Sequence, residues 1–170
     1  MLKIAFNRLY AHPLPEGHRF PMEKYSLLPE QLQYEGTLSA ENFFDPEPVL
    51  EEDVLRIHDP EYFKKLQEVR LTRREERATG FPLSKQLVER ELAITGGTVK
   101  AVEYALKYGV AGNIAGGTHH AYRDRGEGFC LLNCLLIVAS LCQPTQIGKL
   151  HDVLLMGVDE LIMRIIMKQG

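Results

Sequence analysis

Two histidines stand side by side at His119 and His120, behind the turn Gly116-Gly117-Thr118 and ahead of Ala121-Tyr122. Histidine titrates near neutral pH, so an adjacent pair can divide the work of accepting and donating a proton. Glycines let the backbone turn sharply and come close to a ligand. Taken alone, the pair reads more readily as surface residues or as part of a structural hydrogen bond. A second place where chemistry could sit is Cys130-x3-Cys134, which by spacing is half of a metal site. No second pair of Cys or His stands at finger spacing, so this motif does not make a zinc finger. The three cysteines, Cys130, Cys134 and Cys142, are odd in number and close together. They fit a reducing, cytoplasmic compartment better than a disulfide framework.

Such residues need a frame. A chain of 170 residues is long enough for one domain with a core. A hydrophobic share of 45% and a charged share of 25% belong to a globular protein rather than to a disordered one. The net charge of −3 gives no electrostatic case for direct nucleic-acid binding. The first apolar run, Leu2 to Phe6, is broken by Lys3 and does not read as a secretory signal. No apolar stretch reaches the roughly 18 residues that a membrane span needs.

Leu2 to Phe6 alternates as a strand does, and the loop His12 to Arg19 is punctuated by Pro13, Pro15 and Gly17. A helix is expected over Pro21 to Glu35, with Met22, Tyr25, Leu28 and Leu32 as its stripe, Pro29 as a kink or division, and Gly36 as its stop. A short helix takes in Val54, Leu55 and Ile57. Asp59-Pro60 opens another, whose buried face is Tyr62, Phe63, Leu66 and Val69. The charge run Thr72 to Ala78 reads as a solvated helix face or loop. Ser84 can cap and Gly109 can end a long helix, in which Gly96-Gly97 implies a close approach of neighbouring backbone. Val110 to Ala115 is expected to be a central parallel strand, Phe129 to Leu141 a buried helix, and Val153 to Val158 a further strand. Strands alternating with long helices give α/β with a mainly parallel sheet, in which ligands sit at the carboxyl ends of strands. The loop after Ala115, with its two histidines, occupies such a place.

The run Gly-Gly-Thr-His-His-Ala at 116–121, followed by Gly128-Phe129-Cys130, resembles the signature of histone deacetylases and their bacterial relatives. Upstream pieces resemble the bacterial and class IV-like members: His18-Arg19-Phe20-Pro21-Met22-x-Lys24-Tyr25, His58-Asp59-x-x-Tyr62, and Leu92-Ala93 with Gly96-Gly97-Thr98. The resemblance covers residues 1–133. It implies a three-layer α/β/α arginase/deacetylase-like fold, here incomplete. It also implies zinc-dependent hydrolysis of an acetyl-lysine or a similar acetylated amine. In that scheme His119 and His120 are catalytic, one of them taking a proton from metal-activated water and returning it to the leaving amine. Gly128 and Phe129 form the wall of the acyl-lysine tunnel, so His119 and Phe129 should face one pocket. Arg19 matches an arginine of the internal product channel, or else is a surface or structural arginine. Gly96 and Gly97 support the active-site loops by close packing.

Beyond residue 133 the pattern departs. Cys134 stands where the family has an aspartate, and Leu161 stands where a zinc-binding histidine follows Asp159. No histidine follows His151, and Asp159 is the sole weak candidate metal ligand. The tail Leu161, Ile162, Met163, Ile165, Ile166 and Met167 is apolar for a free end. Residues 134–170 read as divergent, through a frame slip, altered splice or gene fragment, or else as a genuinely divergent family member. The expectation is a single truncated deacetylase-like domain over 1–170 that does not hold zinc and is inactive as it stands. A non-catalytic remnant that binds a partner or an acyl-lysine is the competing reading.

Overall fold

The computed structural model describes residues 1–142. The expected strand at 153–158, Asp159 and the apolar tail lie outside the described residues.

Three short parallel strands make the sheet. Strand β1 (Lys3–Ala5) lies between β2 (Phe43–Phe44) and β3 (Ala111–Asn113), with Ile4 opposite Phe43 on one side and Gly112 on the other. Among the described residues β1, not β3, therefore holds the middle. Its Ile4 and Ala5 are fully buried while it bonds along both edges. Strand β3 is also shorter than expected, because Asn113 turns the chain. Its side-chain oxygen accepts from Ala115 N–H, and its amide donates to Ile94 O at 2.8 Å and Thr98 Oγ1 at 2.9 Å. The class is the expected one, α/β with a parallel sheet.

The helices are α1 (Lys24–Tyr34), α2 (Glu51–Val54), α3 (Pro60–Gln67), α4 (Arg73–Thr79), α5 (Lys85–Tyr108) and α6 (Cys134–Leu141). Helix α1 starts three residues later than Pro21 and runs through a buried Pro29 without dividing. Asp59 caps α3 by accepting from Glu61 N–H, and Thr72 with Glu75 forms a capping box that turns the charge run into α4. Ser84 caps α5, and Gly109 closes it in the left-handed region. Val69 is not part of a buried face: it lies past the end of α3, 41% exposed, at φ 54°. It occupies the left-handed position that closes the helix, an unfavourable place for a β-branched residue.

Helix α5 carries the sheet. A Cβ on Gly96 would collide with the Glu47 carbonyl oxygen, and one on Gly97 would stand 2.6 Å from Tyr10 Oη and 3.0 Å from Ala5 Cβ. The paired glycines thus let α5 lie against β1 and against the segment after β2, at their known cost in helix propensity. Inside this core lie Arg90 and Glu91, both buried and ion-paired with each other. Arg90 Nε also donates to Tyr10 O at 2.7 Å, and burial pushes the Glu91 carboxyl up while the guanidinium holds it down. Helix α6 begins at Cys134 rather than Phe129. Residues 127–130 spend their backbone groups elsewhere, through the Glu127–Cys130 bridge and the bonds from Gly128 N–H to Ala78 O and from Phe129 N–H to Thr79 O.

Candidate active site

The loop after β3 carries the two histidines, and the structure fixes it from behind. Asn133, the N-cap of α6, is its bolt. Its Nδ2 donates to the carbonyls of His119 and Ala121, each at 3.0 Å, while its Oδ1 accepts from Leu136 N–H at 3.1 Å. Its backbone N–H donates to His58 Nε2 at 3.0 Å. That bond puts the proton of the neutral His58 ring on Nδ1. Burial holds His58 below the usual histidine range, opposed by the carbonyls of Arg123 and Tyr122. Asp59 N–H donates to Arg123 O, and Tyr62 Oη donates to Leu131 O at 2.9 Å. The His58-Asp59-x-x-Tyr62 run therefore works as a brace at three points, of which those at His58 and Tyr62 are buried. Thr118 is tied to α6 as well, through Cys134 N–H to its Oγ1 and Cys134 Sγ to its carbonyl.

In front, His119 and His120 are both exposed, with ring centroids 4.2 Å apart. His119 Nδ1 lies 2.8 Å from Gly117 O. A carbonyl can only accept, so Nδ1 carries the proton and Nε2 is left as the accepting nitrogen. Gly117 reaches this position at φ 86°, which favours glycine.

Gly128 brings the second loop to the histidines. A Cβ there would stand 3.2 Å from Cβ and Cγ of His120, and the residue sits at φ 57°. Phe129 follows at φ 65°, a costly conformation for an aromatic residue. Two backbone bonds hold it: Gly128 N–H to Ala78 O at 3.1 Å and Phe129 N–H to Thr79 O at 2.7 Å. The ring packs on Phe20 at 4.9 Å, Phe81 at 5.1 Å and His18 at 6.4 Å between centroids. His18 is itself fixed, with Nδ1 accepting from Phe20 N–H and Nε2 donating to Gly80 O.

The structure thus places His119 beside His120 and Gly128 against His120, with the Phe129 ring turned to Phe20, Phe81, His18 and Arg19. Arg19, expected inside a channel, is exposed, with its guanidinium 4.9 Å over the Phe129 ring. The buried arginine is Arg90, which stacks on Tyr25 and Phe81. Cys130 is buried, and burial pushes its thiol up to about 11, so it is a packing residue and not a nucleophile at neutral pH. His12 is buried with Nδ1 unpartnered. Burial first, then the charges of Arg90 and His18, hold it down to about 4. Among the described residues no three His, Cys, Asp or Glu side chains converge to hold a metal, and Asp159 lies outside them. The brace of Asn133, His58 and Tyr62 was missed as a unit, although His58 and Tyr62 stand in a motif that the sequence displays.

A parallel α/β sheet with paired histidines at a strand's carboxyl end defines the class, and comparison names the family. The Histone deacetylase domain matches residues 18–159, continuing past Asn133, and the chain belongs to that family. An uncharacterized protein of Picosynechococcus is 36% identical over 156 residues, which is 92% of this chain and 51% of that protein. Histone deacetylase 2 of Arabidopsis thaliana is 29% identical over 119 residues, covering 66% of this chain and 31% of that one. Among solved structures, an HDAC homolog from Aquifex aeolicus is similar with a TM-score of 0.67 at 26% identity, covering 82% of this chain and 40% of its own. An HDAC homolog complexed with SAHA is similar with a TM-score of 0.70 at the same 26% identity and the same coverage. The chain spans about half the length of the Picosynechococcus relative and less of the others.

Proposed function

We propose that this chain carries the proton-handling and tunnel-wall half of a zinc-dependent deacetylase site acting on an acetylated lysine or a similar acetylated amine. The observation that carries the reading is the ring bond of His119, whose Nδ1 donates to Gly117 O and leaves Nε2 as the accepting nitrogen, beside a His120 that packs against Gly128. In the family, zinc supplies the Lewis acid. Three protein ligands are the usual requirement for such a site, and the described residues contain no such set. The histidines of this chain would accept a proton and return it to the departing amine. Phe129 would lie along the methylene chain of the substrate, and Arg19, stacked on that ring, would place a cation at its edge.

The 170-residue chain by itself is proposed to be inactive. Supporting this is the sequence Asp159-Glu160-Leu161, in which a leucine stands where the family has a zinc-binding histidine. The test is zinc titration by calorimetry alongside turnover of a fluorogenic acetyl-lysine peptide. Neither tight zinc nor turnover is expected. Micromolar zinc with turnover that SAHA abolishes would reject the inactivity. In a protein extended to the length of its relatives, activity should return, and His120→Ala should lower it about 10²- to 10⁴-fold with zinc still bound. A loss below about ten-fold rejects the assigned role, since general acid–base groups contribute more than that.

A further inference from the structure

Helix α4 is fastened directly to the Phe129 wall. The carbonyls of Ala78 and Thr79, at its C-terminal end, accept from Gly128 and Phe129 N–H. Gly80 then lies so close that a Cβ would stand 2.7 Å from the Phe129 ring, and Phe81 packs on the same ring at 5.1 Å. Against this junction opens a cavity of about 410 Å³ lined by Arg73, Glu76, Arg77, Gly80, Phe81 and Pro82.

The charges lining the cavity are unbalanced. Arg73 and Arg77 are four apart on one face of α4, exposed, and without an ion-pair partner among the described residues. Of the acids on the helix, Glu75 accepts from Thr72 N–H at 2.7 Å and is paired with Lys65 Nζ at 3.1 Å. Glu76 lines the cavity too, with Oε1 accepting from Leu83 N–H at 3.1 Å, and its charge offsets one of the two guanidiniums, so the lining keeps a net charge of one positive unit. Arg19, outside the lining, stacks a further guanidinium on the Phe129 ring at 4.9 Å. Planar guanidinium groups bind carboxylates in preference to other polar groups.

We infer that the Arg73–Arg77 cavity is a specificity subsite that receives an acidic side chain beside the acylated lysine of a polypeptide substrate. This rests on the proposed function, which places the acyl chain along Phe129. An acidic residue flanking the modified lysine would enter between the two arginines, beside Gly80 and Phe81, which pack the cavity directly against the Phe129 wall. Two exposed guanidinium–carboxylate pairs are worth only about three- to ten-fold in affinity, and salt screens them.

The test measures binding of fluorescein-labelled acetyl-lysine peptides to the 170-residue chain by anisotropy, with Asp, Ser or Lys on either side of the modified residue. At low salt the Asp peptide should bind tightest and the Lys peptide weakest, and the spread should close at about 1 M salt. Combining R73E with R77E should reverse the order, a result that unfolding cannot produce. Equal binding of the three peptides, or an order unchanged in the R73E/R77E protein, overturns the inference. Unacetylated versions of the same peptides separate the two readings. Acetyl-dependent binding without an acid preference overturns this subsite alone. An acid preference with no acetyl dependence overturns the placement beside a deacylase site, and the proposed function with it.

Discussion

The back and the front of the tandem-histidine loop are built on opposite plans. Behind it, Asn133 makes bonds to two loop carbonyls and to the first turn of α6, and His58 and Tyr62 lock the strands of chain around it in a buried setting. In front, His119 and His120 are exposed, and the hydrogen bond shown for their rings is the short local one to Gly117. The hydrogen bonds that hold the loop lie behind it, and the exposed rings in front are held by that local bond alone. Substitutions on the two sides should therefore separate stability from activity.

The largest effect is expected at Asn133→Ala. It strands the carbonyls of His119 and Ala121 and removes the N-cap of α6, for a loss of about 3 kcal/mol in urea unfolding. Asn133→Asp keeps the cap oxygen and should lose less. If Asn133→Ala were as mild as His120→Ala, the contrast between back and front would collapse. Acid should come next. His12 is held at about 4 when folded and titrates near its usual value when unfolded, so the unfolded chain binds the extra proton first. The contribution is fully present above about 6.5 and falls away as pH drops toward 4, by up to about 3 kcal/mol. His12→Gln should flatten that part of the pH–stability profile, and a profile that stays steep would place the loss elsewhere.

Tyr62→Phe tests the brace at a single point. It leaves the Leu131 carbonyl without its donor, at about 1–2 kcal/mol, read from the denaturant midpoint. The smallest effect is expected from His119→Ala and His120→Ala, each within about 0.5 kcal/mol of the parent, because exposed side chains with few contacts contribute little to folding. A larger cost at either histidine would mean that the front of the loop is structural too.

The sequence displayed those features that depend on neighbours along the chain. Ser84 and Gly109 bracket α5, Asp59-Pro60 opens α3, and the paired glycines at 96 and 97 announce a close approach, because each acts within a turn or two. The histidine loop at the end of β3 was legible for the same reason. What remained hidden depends on distant partners. The start of α6 was placed at Phe129 because 129–141 is uniformly apolar, whereas Ala78 and Thr79 had already claimed the backbone of 128 and 129. Nothing in the local sequence marks Arg90 and Glu91 as buried, and their burial comes from the packing of distant Tyr10, Tyr25 and Phe81. The contact of Arg19 with the Phe129 ring likewise joins residues more than a hundred positions apart.

The brace also sets an order of events in time. His58 waits for a partner 75 residues ahead of it in the chain, and Tyr62 for one 69 residues ahead. Closing such long stretches is entropically expensive and slow compared with forming α5, whose bonds are local. As the chain leaves the ribosome, the long helix and the strand β1 can associate early, yet the histidine loop stays unfixed until Asn133 has emerged. The histidine loop thus gains its fastening late among the described residues, and a polypeptide cut short before that asparagine would carry both histidines without the bonds to the carbonyls of His119 and Ala121.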